Sequence, residues 1–198
     1  GAMEDSSPNG QASADGEAVS VAVRVRPLLY SEADAGERSV VRLKEDSLTL
    51  LDFDGAVIAE MASAIPITTY TFSFHRILGP ASTQEDVYSS TAKPAVDALL
   101  SGYNAAVIAY GPTGSGKTFT MEGTPDDVEL RGIIPRAFED VLACLPAGRG
   151  DAEAASVTVS YLQVYNENVM DLLRPDTGNL IVREGKHRGV FVDGLSSW

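Results

Sequence analysis

The pattern of apolar and polar positions changes character several times along the chain. Up to residue 18 there is almost no large apolar side chain, and Ser, Gly, Asp, Glu and Ala dominate. Such a stretch cannot bury enough surface to fold and reads as a disordered leader. At Val19 an alternation begins: Val19, Val21, Val23 and Val25 interleave with Ser20, Ala22, Arg24 and Arg26, the two-residue period of a strand. Pro27, with no N–H for a ladder, ends it. Apolar bursts at 40–41, 48–51 and 57–58 lie between charged and glycine-bearing turns and predict a small antiparallel meander. Tyr70, Phe72 and Phe74 alternate with Thr71 and Ser73, a further strand running to Leu78 and closed by Gly79-Pro80.

The period then lengthens. Ser82 or Thr83 is placed to cap a helix, with Glu85 and Asp86 in its first turn, where the helix dipole favours acids. Val87, Ala92, Val96, Leu99 and Tyr103 follow a helical spacing; Pro94 lies inside it and predicts a kink or a split. Ala105 to Ala109 is short and continuously apolar, the pattern of a buried central strand. A helix is expected from Lys117-Thr118, a surface loop over 123–131, and a helix opened by Pro135 with Ile134, Phe138, Val141, Leu142 and Leu145 on its apolar face. After a loop at 148–155, residues 156–165 are apolar on both sides and predict another central strand. Asn166 to Leu173 fits a short helix, and 180–182 with 190–192 a closing hairpin. Strands alternating with helices give an α/β class.

The chain has 198 residues with 44% apolar side chains, enough for one domain with a sizeable core. No apolar run approaches the roughly 18 residues of a membrane span, and no signal peptide is evident; Gly1-Ala2-Met3 resembles the scar of a removed tag, with the natural start at Met3. The single cysteine, Cys144, is expected to pack beside a helical apolar stripe in a reducing setting. His75 reads as a surface or satisfied histidine, and Glu167 with Asp171, four apart on the expected helix, as a solvated face. The net charge of −13 argues against nucleic acid, and against acidic polymers generally, as a surface this chain grips by itself.

One segment carries chemistry. Gly111-Pro112-Thr113-Gly114-Ser115-Gly116-Lys117-Thr118 matches the phosphate-loop pattern Gly-x-x-x-x-Gly-Lys-[Ser/Thr]. Its glycines let backbone N–H groups point inward around phosphate oxygens, and the helix that follows adds its positive end. Lys117 is expected to reach the β- and γ-phosphates and the Thr118 hydroxyl to ligate Mg²⁺. These two are the candidate catalytic residues, with Thr118 the metal ligand and ATP or ADP with Mg²⁺ the cofactor. A chance match arises in about one chain in a hundred of this length, and the expected strand before and helix after make it rarer. Arg24, Pro27 and Phe119 lie near in pattern; a guanidinium and an aromatic can sandwich a base, although Phe119 alone reads more often as core.

Several further segments resemble the kinesin motor domain in kind and order. Val23-Arg24-Val25-Arg26-Pro27 is similar to the family's first-strand signature, and 70–78 to its Phe-x-Phe-Asp strand, with His75 where Asp is usual. Gly102-Tyr103-Asn104, Ile108-Ala109-Tyr110, the phosphate loop and Phe119-Thr120-Met121 resemble its central block, with Pro112 where Gln is commonest. Arg131-Gly132-Ile133-Ile134-Pro135, 160–167 and Asp171-Leu172-Leu173 complete the run. The resemblance spans about 19–195 and is nearest to transport-type motors with an N-terminal motor domain. It implies a P-loop NTPase fold, a central and mostly parallel or mixed sheet flanked by helices with a small meander. It also implies a microtubule-stimulated ATPase of the cytoplasm and cytoskeleton, able to pair through a coiled coil when full length. It places Arg24 and Pro27 on one side of an adenine and Phe119 on the other.

No Ser-Ser-Arg-Ser-His-type or Asp-x-Ala-Gly-type switch segment occurs. The expectation is therefore that 19–198 is the N-terminal, nucleotide-binding part of a motor domain. Its switches and its main microtubule-binding elements would lie in a C-terminal half beyond Trp198, and nucleic acid and membranes are not expected partners. A catalytically inactive binding module derived from such a motor is the alternative. A P-loop kinase of small metabolites fits less well, since about 90 residues expected to be ordered precede the loop.

Overall fold

The computed structural model describes residues 19–44, 47–52, 68–145, 156–186 and 189–198. The leader at 1–18, the burst at 57–58, the loop at 148–155 and His187 lie outside the described residues. The chain forms two units, Gly1–Cys144 and Leu145–Trp198. The first runs β1 (Ala22–Arg24), α1 (Tyr30–Asp34), β2 (Val41–Leu43), β3 (Ser47–Asp52), β4 (Thr68–Ser73), β5 (Arg76–Leu78), α2 (Gln84–Val87), α3 (Lys93–Leu100), α4 (Lys117–Met121) and α5 (Ile133–Ala143). The second holds β6 (Leu162–Tyr165), β7 (Asn168–Asp171), β8 (Asn179–Gly185) and β9 (Gly189–Asp193). The class is the expected one, α/β with mixed sheets and helices. The parallel component is the pair β1–β5, with Ala22 opposite Arg76 and Arg24 opposite Leu78.

An antiparallel meander forms as β2–β3–β4; its first two strands are the expected bursts, and its third is the strand expected separately over 70–78. The expected strand over 70–78 is two strands. It breaks at Phe74-His75, where the chain leaves the meander and joins β1 as β5. His75 is exposed and satisfied as expected: its N–H donates to the Val21 carbonyl at 3.1 Å, and its Nδ1 accepts from the Val21 N–H at 3.0 Å. Helix α1, over a stretch to which the sequence pattern assigned nothing, starts where the Glu32 carboxylate accepts the Leu29 N–H at 2.8 Å.

Thr83 is the cap of α2. Its Oγ1 accepts the Asp86 N–H at 3.0 Å, and the Asp86 carboxylate accepts the Thr83 N–H at 2.8 Å, a reciprocal pair. Hydrogen bonds from the Thr83 backbone and side chain hold the Asp86 carboxyl below the usual carboxylate range. The helical stretch is split, as Pro94 predicts. A π turn, Tyr88–Ala92, separates α2 from α3, and Pro94 falls in the first turn of α3, where its missing N–H costs little. The extra residue of the π turn puts Val87, Tyr88, Ala92 and Val96 on the buried side. Leu78, Val87, Tyr88, Ala92 and Ile133 form the core cluster, with Met121 and Ala137 packed against it.

Other expectations need correction. Residues 105–109 form no strand: Val107 and Ile108 are exposed, Ile108 by 86%, and no strand among the described residues pairs with them. A continuously apolar strand is stable only between neighbours, and none is in register here. Helix α5 begins at Ile133, two residues before Pro135, and buries Ile133, while Ile134, Phe138 and Leu142 on the expected apolar face are exposed. Cys144 is exposed, at the helix end rather than packed beneath it.

In the second unit, only 162–165 of the expected strand over 156–165 is β6, and it is exposed rather than central. The helix expected over 166–173 is instead a turn and β7. Asn166 and Glu167 have φ of +48° and +62°, the pair of left-handed residues that a two-residue hairpin requires. Leu162 faces Asp171 and Tyr165 faces Asn168 across that hairpin. Asp171 is therefore not on a solvated face. It is 1% exposed, and its carboxylate accepts the backbone N–H groups of Leu173 at 2.8 Å, Arg174 at 3.2 Å and Ser196 at 2.8 Å. A hydrogen bond from the Ser196 side chain, and after it those backbone bonds, hold it below the usual carboxylate range. The closing hairpin forms as β8–β9, with Val182 opposite Val192. Among the described residues no helix is long and apolar enough to cross a membrane.

Candidate functional site

The phosphate-loop sequence lies between the exposed run at 103–110 and α4. Gly114 and Gly116 have φ of +80° and +95°, conformations that side chains with a Cβ rarely adopt, and Gly116 is the residue on which α4 begins. The Ser115 N–H donates to the Pro112 carbonyl at 3.2 Å, closing a turn across the loop. Lys117 Nζ donates to the carbonyls of Gly111 and Pro112, both at 2.8 Å. The lysine is thus folded over the concave side of the loop. Thr118 is exposed at the first turn of α4, and Pro112 and Thr113 form the exposed outer edge of the loop.

Strand β1 delivers its residues to the same place. Arg24 Nη1 donates to Gln84 Oε1 at 2.7 Å and to Thr120 Oγ1 at 2.9 Å. Its guanidinium carbon sits 5.3 Å from the centre of the Phe119 ring, within cation–π range. Burial pulls the Arg24 guanidinium below its ordinary value. Arg26 Nε donates to the Gly114 carbonyl at 2.9 Å, and its two terminal nitrogens reach the Glu32 carboxylate at 2.7 and 2.6 Å. That pairing raises Arg26 and holds Glu32 down at about 2. A cleft is lined by Arg24, Pro27, Pro80, Ser115, Gly116 and Phe119, among others. The three residues expected around a base therefore meet the loop in one place, and Phe119 is half-exposed toward it rather than core.

Sequence reasoning missed two groups here. Arg26 stood inside a motif but received no role. Gln84 was only a first-turn helix residue, yet it is 3% exposed and donates through Nε2 to the Phe119 carbonyl at 2.7 Å and the Leu130 carbonyl at 3.1 Å. No local signal marks Gln84, whose partners lie 35 to 60 residues away in the chain, or the tie from Arg26 to Gly114, 88 residues away.

A model of the kinesin motor domain matches residues 24–198. The chain belongs to the kinesin motor domain family. It is 39% identical over 178 residues to a kinesin heavy chain of Botryotinia fuckeliana, covering 89% of this chain and 19% of that one. It is 40% identical over 180 residues to kinesin-like protein KIF22 of Mus musculus, covering 90% of this chain and 26% of that one. A solved structure of a fast kinesin, described with implications for ATPase mechanism and interactions with microtubules, superposes with a TM-score of 0.78 at 36% identity. That match covers 91% of this chain and 48% of the solved one. The kinesin chain described here thus spans between a fifth and a quarter of these curated relatives.

The residues present fit a magnesium nucleotide. The left-handed glycines turn the loop about a helix N-terminus, a cation reaches over it, and an exposed hydroxyl stands where the helix begins. Among the described residues no group of three His, Cys, Asp or Glu side chains could hold a metal unaided. A magnesium ion here would depend on Thr118 and on the phosphates it accompanies.

Proposed function

We propose that this kinesin chain is the ATP-binding portion of a microtubule motor. The observation that carries the reading is the convergence of Arg24, Pro27 and Phe119 on the phosphate loop in a single cleft. In this reading residues 111–118 cradle the phosphates, Lys117 swings from the loop carbonyls to the phosphate oxygens, and Thr118 holds Mg²⁺. Arg24, Pro27 and Phe119 bracket the adenine. When bound, the nucleotide supplies the energy of γ-phosphate release; this chain's residues bind, orient and neutralise charge around it. The whole protein would act in the cytoplasm on the microtubule cytoskeleton, as a coiled-coil dimer where its other segments provide one, and residues 19–198 would be the N-terminal part of its motor domain.

The sequence holds no Ser-Ser-Arg-Ser-His-type or Asp-x-Ala-Gly-type segment, so these 198 residues contact the γ-phosphate through Lys117 but lack the switch segments that would respond to its loss. The 198-residue chain is therefore expected to bind nucleotide weakly or not at all and to show no microtubule-stimulated phosphate release, while the full-length gene product shows it. Robust stimulation of the 198 residues would refute the division of labour. A full-length product that binds ADP but never releases phosphate would favour an inactive module built on a motor scaffold.

A further inference from the structure

We propose that Gln84 is a positioning residue for the nucleotide base, the side chain that holds Arg24 and the Phe119 end of α4 as one surface; the inference rests on the nucleotide-site reading above. The chemistry fixes which way its carboxamide points. The oxygen faces the Arg24 guanidinium at 2.7 Å, and the nitrogen faces two backbone carbonyls, Phe119 at 2.7 Å and Leu130 at 3.1 Å. Turned over, it would set an oxygen against two oxygens and an NH₂ group against a cation. Both of its amide hydrogens are used. No other residue type of this length carries one acceptor and two donors in that arrangement, so the site is specific for glutamine.

What Gln84 joins gives it a role. It comes from α2 and reaches β1 through Arg24, α4 through the Phe119 carbonyl, and the segment after α4 through the Leu130 carbonyl. Arg24 has one further acceptor, Thr120 Oγ1 at 2.9 Å, and between the two its guanidinium lies over the Phe119 ring. The phosphate loop has a separate set of ties: Lys117 to the carbonyls of Gly111 and Pro112, and Arg26 to that of Gly114. Gln84 touches none of these. The base side and the phosphate loop, though they share α4, are thus tied by different side chains, and loss of Gln84 should be felt on the base side.

The test compares two ligands on the full-length gene product: Mg-ADP, which has a base, and Mg-tripolyphosphate, which has none. Each is measured by displacement of a fluorescent ADP analogue. Gln84→Met removes all three polar contacts at nearly the same length. It is expected to weaken ADP about tenfold, the worth of a hydrogen bond to a charged group, and to leave tripolyphosphate unchanged. Arg24→Ala should show the same split, and the double variant should be no weaker than the stronger single one, because both act through one guanidinium. Equal loss on both ligands, or no loss on ADP, overturns the proposal. If Gln84→Met does not fold, Gln84→Glu takes its place: it keeps an acceptor for Arg24 and loses the donors to α4 and Leu130. A selective loss for ADP, about threefold or more, supports the proposal, and a loss common to both ligands overturns it. An unmutated protein that binds neither ligand is a different result, which sinks the nucleotide reading itself and the inference with it.

Discussion

The two flanks of the phosphate loop are built in opposite ways. On the C-terminal side every polar group that points inward has a partner: Arg24 meets Gln84 and Thr120, and Gln84 meets two carbonyls. Behind them stands the core of Leu78, Val87, Tyr88, Ala92 and Ile133. On the N-terminal side Tyr103, Val107, Ile108 and Tyr110 are exposed, Tyr110 by 99%, and no described strand of the first unit pairs with them. The difference follows from how the two kinds of structure close. A short helix with its caps and side-chain ties can be completed by groups that fold onto it. An apolar extended run has a ladder edge on each side and completes nothing by itself. The segment 103–118 thus has its packed support, within the first unit, on the α4 side.

The supported flank is broken most severely at Gly123. It sits just after α4 with φ of +74°, bridged to Arg131, and a Cβ there would stand 2.0 Å from the Leu130 oxygen and 2.4 Å from the Gly132 nitrogen. That carbonyl is one of the two that Gln84 holds. Gly123→Ala must both adopt a left-handed conformation and push the returning segment away, which breaks the hydrogen bond from Gln84 to Leu130. Urea denaturation should show a loss of about 3 kcal/mol or more. A cost near 1 kcal/mol would mean that the segment yields easily and that the flank is less rigid than its bonds suggest.

A smaller effect tests the core beneath the same flank. The Tyr88 hydroxyl donates to the Asp140 carboxylate at 2.5 Å, tying the π turn to α5. Burial, and then Asp140, push the Tyr88 hydroxyl well above the ordinary tyrosine range, so it stays a donor throughout the working pH range. Lys93 lies 3.7 Å from the same carboxylate and keeps it from being stranded when the hydroxyl is removed. Tyr88→Phe should therefore cost about 1–2 kcal/mol with no change in its pH dependence between neutral and mildly alkaline conditions. A larger loss would show that Lys93 does not stand in.

The same contrast explains what could be read in advance. The phosphate loop was legible because its information is local: glycines, a lysine and a hydroxyl at fixed spacing. So were the Thr83 cap, the first hairpin of the meander and the closing hairpin, each set by neighbours close in the chain. The neighbours of 105–109 were not legible, because an apolar run states only that it wants partners. Residues 166–173 were misread because Val169, Met170, Leu172 and Leu173 suit a helix or a strand. Asn166 was the available clue, since asparagine tolerates a positive φ. The roles of Gln84 and Arg26 depend on partners that only the fold brings near. The family resemblance named the residues of a candidate site but said nothing of what steadies them.

The weakest expected effect is the most telling about the other flank. Ile108 has the character of a core residue, and placing a charge there would ordinarily be ruinous. It is 86% exposed, and an exposed position away from caps and ties changes stability by about 0.5 kcal/mol or less. Ile108→Lys in the 198-residue chain should accordingly leave the unfolding midpoint in place. It should also reduce the binding of a hydrophobic dye, because it interrupts an apolar patch that continues through Tyr110. A loss of about 2 kcal/mol or more would mean that the run is covered in solution by a second copy of the chain or by residues outside the described set. In that case the asymmetry between the flanks would be a property of the isolated chain fold and not of the molecule as it exists in water.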